Sequence, residues 1–270
     1  FAPSPTGPLH LGHAYAALVA DARAQGGTFL LRIEDIDRAR CRPEWEAAIF
    51  DDLRWLGLRW PEPVMRQSDR LPAYRAALDR LATRGLIYGC TCTRGDIRAA
   101  LSAPQEGAPM TGPDGPVYPG TCRGKPPVEG IALRLDMGRA MALLGAVEFT
   151  EAGPLHAGHH RFDAAFMASQ VGDAVLARRD MGTSYHLSVV VDDAAQGVTD
   201  VTRGADLFEA TALQVVLQRL LQLPTPGYWH HDLIRDDHGK RLAKRDDARA
   251  LAKYRAEGAT PQDIRRMVGL

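Results

Sequence analysis

The sequence predicts an α/β fold built on a parallel sheet. Three observations predict it. Apolar strand-like runs alternate with helix-forming stretches through the first 85 residues. A Pro- and Gly-rich stretch then breaks that alternation, and the first pattern resumes near residue 181.

The elements follow in order. Residues 1–27 read as a strand end, a loop and a helix. Pro3, Pro5, Gly7 and Pro8 exclude regular structure, residues 12–24 are good helix formers, and Gly26-Gly27 ends the helix. Residues 28–33 form a short apolar strand that runs into Glu34, Asp35 and Asp37. Pro43 suits a first helical turn, Trp45, Ile49, Leu53 and Leu56 make an apolar stripe, and Gly57 caps the end. Another helix spans about 72–84 and stops at Gly85. Seven prolines and five glycines within 102–127 make that stretch mostly loop. Short apolar runs in 131–180 fit a small inserted α/β or β-rich module. After it come YHLSVVVDD (185–193), a strand-like GVTDVTRG (197–204), a helix over about 206–223, a strand in YWHHDLI (228–234), a polar turn, KRLAKR (240–245) and a helical tail.

The chain has 270 residues, enough for roughly two domains. Lys plus Arg is 33 and Asp plus Glu is 33. That balance excludes a polybasic nucleic-acid coat but not a nucleic-acid partner, because local patches set phosphate contacts. No run of about 18 apolar residues occurs, which excludes a transmembrane helix, and no charged-then-apolar leader is visible. Only Lys125, Lys240, Lys244 and Lys253 are lysine, so the pair four residues apart stands out.

Two motifs carry chemistry. His10-Leu11-Gly12-His13 lies where a loop enters a helix. Its histidines share a helical side, the helix start offers N–H groups and partial positive charge, and Gly12 opens the backbone to a ligand. This is a place to hold ATP phosphates. Four residues alone are weak, since Leu155-His156-Ala157-Gly158-His159 nearly repeats the pattern without the upstream Pro-Ser-Pro-Thr-Gly. The second motif is Cys90-x-Cys92, which points to metal before disulfide. In an extended stretch both thiols face one way, Cys122 offers a third on a turn, and Cys41 reads as a plain thiol.

FAPSPTGPLHLGH (1–13), RIEDIDRAR (32–40), VVVDDAAQGVTDVTRGADL (189–207) and KRLAKR (240–245) resemble the catalytic core of glutamyl-type class I aminoacyl-tRNA synthetases. They occur in family order and span nearly the whole chain. The resemblance implies a Rossmann-type parallel sheet with an inserted zinc-bearing acceptor-binding-like module and a small helical C-terminal stem-contact region. The implied boundaries are 1–85 and 181–235 for the two catalytic halves, 86–180 for the insertion, and 236–270 for the lysine-signature loop and tail, with no anticodon-binding domain.

The resemblance also assigns roles. His10, Gly12, His13, Arg241 and Lys244 would bind ATP, with His10, His13 and Lys244 catalytic. Arg241 and Ala243 depart from the family's usual Lys and Ser in that second loop, whereas Lys244 is kept. Phe1, Ala2, Pro3, Ser4, Glu34, Tyr185 and Arg203 would bind glutamate. Glu34 takes the ammonium, Tyr185 donates a hydroxyl, and Arg203 clamps a carboxylate in a two-pronged geometry that lysine cannot copy. The bland reading of Arg203 is an ion pair with Asp200 or Asp206, and Asp35 and Asp37 read as structural. The family carries a further glutamate-binding arginine just before position 1. Cys90, Cys92, Tyr118 and Cys122 would hold one structural zinc, with Tyr118 implied by the resemblance alone.

Only 25 residues follow Arg245. That matches a short branch of the family that attaches glutamate to queuosine in the anticodon of tRNA(Asp). The expected partners are L-glutamate, ATP with Mg²⁺, and the queuosine-bearing anticodon arm. The expected setting is a cytoplasmic monomer with no membrane contact. Two other readings stand beside it: a catalytic fragment of a longer glutamyl-tRNA synthetase, and a non-catalytic RNA-binding paralogue.

Overall fold

A computed structural model describes residues 1–24, 26–102, 111–113, 115–234 and 249–270. The first half follows local sequence rules closely. Helix α1 (Leu11–Ala24) begins one residue before Gly12. Strand β1 is confined to Arg32–Ile33. The opening residues run beside it in extended form: the Arg32 N–H donates to the Phe1 carbonyl at 3.1 Å and the Glu34 N–H to the Pro3 carbonyl at 3.0 Å. Helix α2 (Pro43–Trp55) starts at its proline, whose fixed φ and missing N–H suit the first turn. Gly57, just past it, has φ +87°, which a residue with a Cβ rarely adopts. Strand β2 (Met65–Arg66) pairs parallel with β1, and α3 (Leu71–Thr83) buries Tyr74, Leu78 and Leu81.

The middle of the chain holds β3 (Ile87–Cys90), α4 (Arg94–Ser102), β4 (Thr111–Gly112), β5 (Gly115–Pro116), β6 (Ala132–Leu135), α5 (Met137–Leu144), β7 (Ala146–Glu151), β8 (Gly158–Asp163), a one-turn α6 (Ala164–Phe166) and β9 (Val175–Ala177). The later part holds α7 (Tyr185–Ala195), β10 (Asp200–Gly204), α8 (Phe208–Leu220), β11 (Gly227–His231), α9 (Leu251–Ala256) and α10 (Pro261–Met267).

The larger sheet runs β10-β11-β7-β8. Its first three strands are parallel and β8 is antiparallel at the edge. Along β7, Val147, Phe149 and Glu151 are buried and the residues between are exposed, the two-residue period of a sheet with one covered face. Residues 86–180 therefore supply strands to three sheets, the smallest being the β4-β5 hairpin. β7 and β8 join β11 from the later part of the chain, while β3, β6 and β9 form a separate antiparallel sheet.

Two large apolar cores hold these layers, and a small third cluster packs Tyr88 against Cys90, Tyr118 and Cys122. One gathers α3, α5, α7 and α8 around β7 and β11. The other joins α1 and α2 to Leu251, Ile264 and Val268 of the tail. The tail is tied down beside the histidine motif: the Leu251 N–H donates to the Leu9 carbonyl at 2.8 Å, and Ala250 bridges His10. Among the described residues, no helix is long and apolar enough to cross a membrane.

Candidate active site

A cavity of about 620 Å³ lies between α1, residues 27–34 and residues 193–204. Glu34, Tyr185 and Arg203 line it together with Phe1, Ala2 and Asp193. Three distant segments thus meet at one opening. Pro3 and Ser4 are not among the lining residues. Pro3 acts one step back, its carbonyl holding the Glu34 backbone, and the Ser4 carbonyl accepts from the Thr6 N–H at 2.8 Å.

Arg32 organises the acidic side of the cavity. Its guanidinium donates to Asp193 at 2.7 Å, to Gln196 at 3.0 Å and to Glu34 at 3.4 Å. Burial pushes the Glu34 carboxyl up to about 7; Arg32 opposes that shift, and Asp193 and Asp192 add to it. The neighbouring aspartates of VVVDD divide the work, because successive helical residues face different directions. Asp193 reaches the cavity. Asp192 is fully buried and accepts from Gln67 at 3.1 Å, Arg70 at 3.1 Å and Tyr74 at 2.6 Å, tying α7 to α3.

Tyr185 is the first residue of α7, whose N-cap Ser184 accepts from the Leu187 N–H. Burial raises the phenol's pKa, and the nearby Arg203 charge opposes the rise. Arg203, on β10, donates to His230 at 3.0 Å, Gln214 at 2.6 Å and Thr211 at 2.7 Å. Its hydrogen-bond partners are neutral side chains rather than Asp200 or Asp206. The positive charge is therefore not cancelled at the cavity.

The histidine motif closes on itself. The His10 and His13 rings lie 3.8 Å apart, the Gly12 N–H donates to His10 Nδ1 at 3.1 Å, and the His10 N–H donates to His13 Nδ1 at 3.2 Å. A Cβ at Gly12 would meet the His10 ring at 3.1 Å. The glycine thus makes room for an imidazole, where the sequence suggested room for a ligand. The similar Leu155–His159 stretch sits on the β7–β8 connection, with His156 stacked on Phe208 at 4.0 Å and His159 paired to Glu148. Arg241 and Lys244, like Lys240, lie outside the described residues.

The cysteine motif gathers as the spacing suggests. The Cys90, Cys92 and Cys122 sulfurs lie within 4.8 Å of one another. The Tyr118 oxygen lies 3.5 Å from Cys90 Sγ and 3.3 Å from Cys92 Sγ, and Cys92 and Cys122 sulfurs are 3.5 Å apart. Zinc bonded at about 2.3 Å to sulfur and 2.0 Å to oxygen has tetrahedral edges of about 3.5–3.8 Å. The donor set fits that ion. Burial pushes the Cys122 thiol up, but hydrogen bonds involving Tyr118, the Thr91 backbone, Cys92 and Lys125 outweigh it and bring it down to about 6. The Tyr118 phenol is pushed up by burial and by all three thiols.

Sequence reasoning assigned no role to Arg32, Asp193, Thr211, Gln214, His230 or Glu151. Arg32 and Asp193 sit inside quoted motifs, so their sequence signal was present. The other four meet Arg203 or its neighbour only through strand register and one face of α8.

The fold and this site define a class I aminoacyl-tRNA synthetase catalytic domain. The chain belongs to that family: the model for tRNA synthetases class I (E and Q), catalytic domain, matches residues 1–126 and 144–270. It is thereby an enzyme of the ligase class. More particularly, it is 67% identical over 278 residues to the Glutamyl-Q tRNA(Asp) synthetase of Rhodobacter capsulatus, covering 100% of this chain and 99% of that protein. It is 44% identical to the protein of that name from Symbiobacterium thermophilum, covering 98% and 83%. A crystal structure of a glutamate tRNA ligase from Elizabethkingia meningosepticum in complex with its amino acid superposes with a TM-score of 0.76 at 26% identity. The match covers 100% of this chain and 59% of that one, so this chain spans about three-fifths of that ligase.

Proposed function

We propose that the chain activates L-glutamate with ATP and transfers the glutamyl group to queuosine in the anticodon of tRNA(Asp). The observation that carries this reading is the meeting of Glu34, Tyr185 and Arg203 at one cavity. A buried carboxylate suits an ammonium. A braced guanidinium beside a phenol suits a side-chain carboxylate. A relative of nearly the same length that bears the name glutamyl-Q tRNA(Asp) synthetase supports the choice of acceptor. So does chemistry, since the cis-diol of queuosine resembles the terminal ribose diol of a tRNA.

In the first step an oxygen of glutamate's α-carboxylate attacks the α-phosphorus of ATP, and pyrophosphate leaves. In the second a queuosine hydroxyl attacks the glutamyl carbonyl, and AMP leaves. No protein nucleophile is required. The protein contributes orientation and stabilisation of phosphate charge. His10 and His13 stand at the start of α1, where N–H groups and the helix dipole favour anions. Arg241 and Lys244 keep the ATP-binding roles that the resemblance implies, and Mg²⁺ enters with ATP as part of the substrate. Cys90, Cys92, Cys122 and Tyr118 would hold one zinc, which when bound cross-links the end of β3 to the 118–122 turn.

Aminoacylation of purified tRNA(Asp), with and without queuosine and beside tRNA(Glu), tests the reading. Glutamate should appear only on queuosine-bearing tRNA(Asp). Charging of tRNA(Glu), or charging indifferent to queuosine, would overturn it.

A further inference from the structure

Arg203 does not stand alone at the cavity. Three adjacent strands carry a single polar line that runs away from it. Arg203 on β10 is the register partner of His230 on β11, and the Arg203 Nε–H donates to His230 Nε2 at 3.0 Å. The Thr211 hydroxyl lies 3.4 Å from the same nitrogen. On the ring's other side, Nδ1 faces Glu151 Oε2 on β7 at 2.5 Å. Glu151 Oε1 in turn accepts the backbone N–H of His230 at 2.8 Å and of Gly153 at 2.6 Å. His230 and Glu151 are both buried, at 0% and 1% exposure.

These contacts determine the tautomer. A guanidinium can only donate, so His230 Nε2 must accept, and the ring proton sits on Nδ1 and is donated to Glu151. Burial lowers the ring's pKa; the Glu151 hydrogen bond opposes that, and Arg203 adds to the lowering. Glu151 is held as the carboxylate, because the His230 and Gly153 hydrogen bonds outweigh its burial.

A guanidinium has five N–H groups in a rigid plane. His230, Gln214 and Thr211 take one from each of its three nitrogens. One N–H remains on each Nη, and Tyr185 lines the cavity beside Arg203. We infer that Glu151 and His230 are positioning residues for amino-acid specificity. Glu151 fixes the tautomer and angle of His230, and His230 fixes Arg203 at Nε, so the Nη edge is presented to the substrate's side-chain carboxylate. This rests on the reading of Arg203 as the carboxylate clamp.

Pyrophosphate exchange on the full chain tests it, with KM read separately for glutamate and ATP. His230→Asn keeps a short amide near Glu151 but withdraws the acceptor from Arg203. It should raise the glutamate KM roughly tenfold or more, the scale of a lost hydrogen bond to a charged group. The ATP KM should stay within about twofold, and preference for glutamate over glutamine should fall. His230→Gln, whose amide oxygen reaches the Nε2 position, should recover most of the loss. Glu151→Gln is a second variant should His230→Asn fold poorly. It sets an amide N–H₂ among donors only and should shift the glutamate KM in the same direction. Unchanged glutamate KM in both variants overturns the inference, as does a parallel rise in both KM values without rescue by His230→Gln. If Arg203→Lys also leaves the glutamate KM unchanged, the clamp reading itself fails. If Arg203→Lys is crippled while the His230 and Glu151 variants are silent, only the positioning role fails.

Discussion

The amino-acid cavity and the cysteine cluster satisfy their polar groups in opposite ways. At the cavity, both guanidinium groups are held by side chains of other elements. Arg32 reaches Asp193 and Gln196 at the C-terminal end of α7, and Arg203 reaches α8 and β11. At the cluster, four donors from residues 90–122 gather, three of their separations at 3.3–3.5 Å and all three sulfurs within 4.8 Å of one another. The fold itself shapes the first region. A shared central ion suits the second. Substitutions in the cavity should therefore change kinetics with little effect on stability, and loss of metal from the cluster should do the reverse.

The largest expected effect tests the first half of that statement. Arg203→Lys replaces a braced, two-pronged donor with a point charge. It should cost about 2–5 kcal/mol in kcat/KM for glutamate, the scale of breaking a buried charged contact. Thermal unfolding should show a Tm near that of the parent. A large fall in Tm with unchanged glutamate kinetics would break the comparison.

The next effect tests the other half. Elemental analysis should find about one zinc per chain. A chelator should then lower Tm by about 5–10 °C. A site saturated a hundredfold over its dissociation constant contributes about 2.7 kcal/mol, and each kcal/mol moves a domain of roughly this size by about 2–4 °C. The glutamate KM should not move. Protein purified without any metal would remove the ion from the cluster.

These two regions were not equally legible in the sequence. Cys90-x-Cys92 came forward by spacing, whereas Glu34, Tyr185, Arg203 and Tyr118 came forward only through the family resemblance of the motifs around them. β1 and the helices starting near residues 11, 43 and 71 were legible because proline, glycine and helical periodicity act locally. The braces of Arg203 were not legible. Thr211 and Gln214 lie on one face of α8, and His230 arrives by strand register. Glu151 arrives through a single register contact between β7 and β11. No local pattern announces which side chains a helix face or a strand register will bring to Arg203. Gly12 shows a different limit: the sequence revealed that a side chain was absent, and only packing revealed that His10 fills the space.

The acidity of the cavity supplies a smaller effect. Burial holds Glu34 at about 7, so the empty site is largely protonated there below neutrality. A substrate ammonium needs the carboxylate, so binding must displace that proton. The glutamate KM should level off by about pH 8, double near pH 7 and stand about tenfold above the plateau at pH 6, approaching tenfold per further unit. Glutamate's own ammonium and side-chain carboxylate do not titrate between pH 6 and 8. Measured from pH 6 to 8, the parent should show this bend and Glu34→Gln should not. A bend shared by both proteins would assign the titration to another group.

The smallest effects come from two tyrosines, one in each region. Tyr185 lines the cavity together with Arg203. Tyr118 carries its hydroxyl to the thiols of Cys90 and Cys92 and accepts the Cys122 N–H at 3.0 Å. Removing the first oxygen deletes one hydroxyl donor that the proposed function gives to the substrate carboxylate. Tyr185→Phe should therefore raise the glutamate KM by about twofold to tenfold, corresponding to about 0.5–1.5 kcal/mol, while zinc stays at one per chain. Removing the second takes away a tetrahedral donor. Tyr118→Phe should leave the glutamate KM unchanged and make zinc easier to strip, read as a lower chelator concentration at half-loss. If that variant holds zinc as firmly as the parent, the three thiolates suffice and the phenol is only the acceptor for the Cys122 amide. If it instead shifts the glutamate KM, the cluster and the cavity are coupled, and the division drawn between them does not hold.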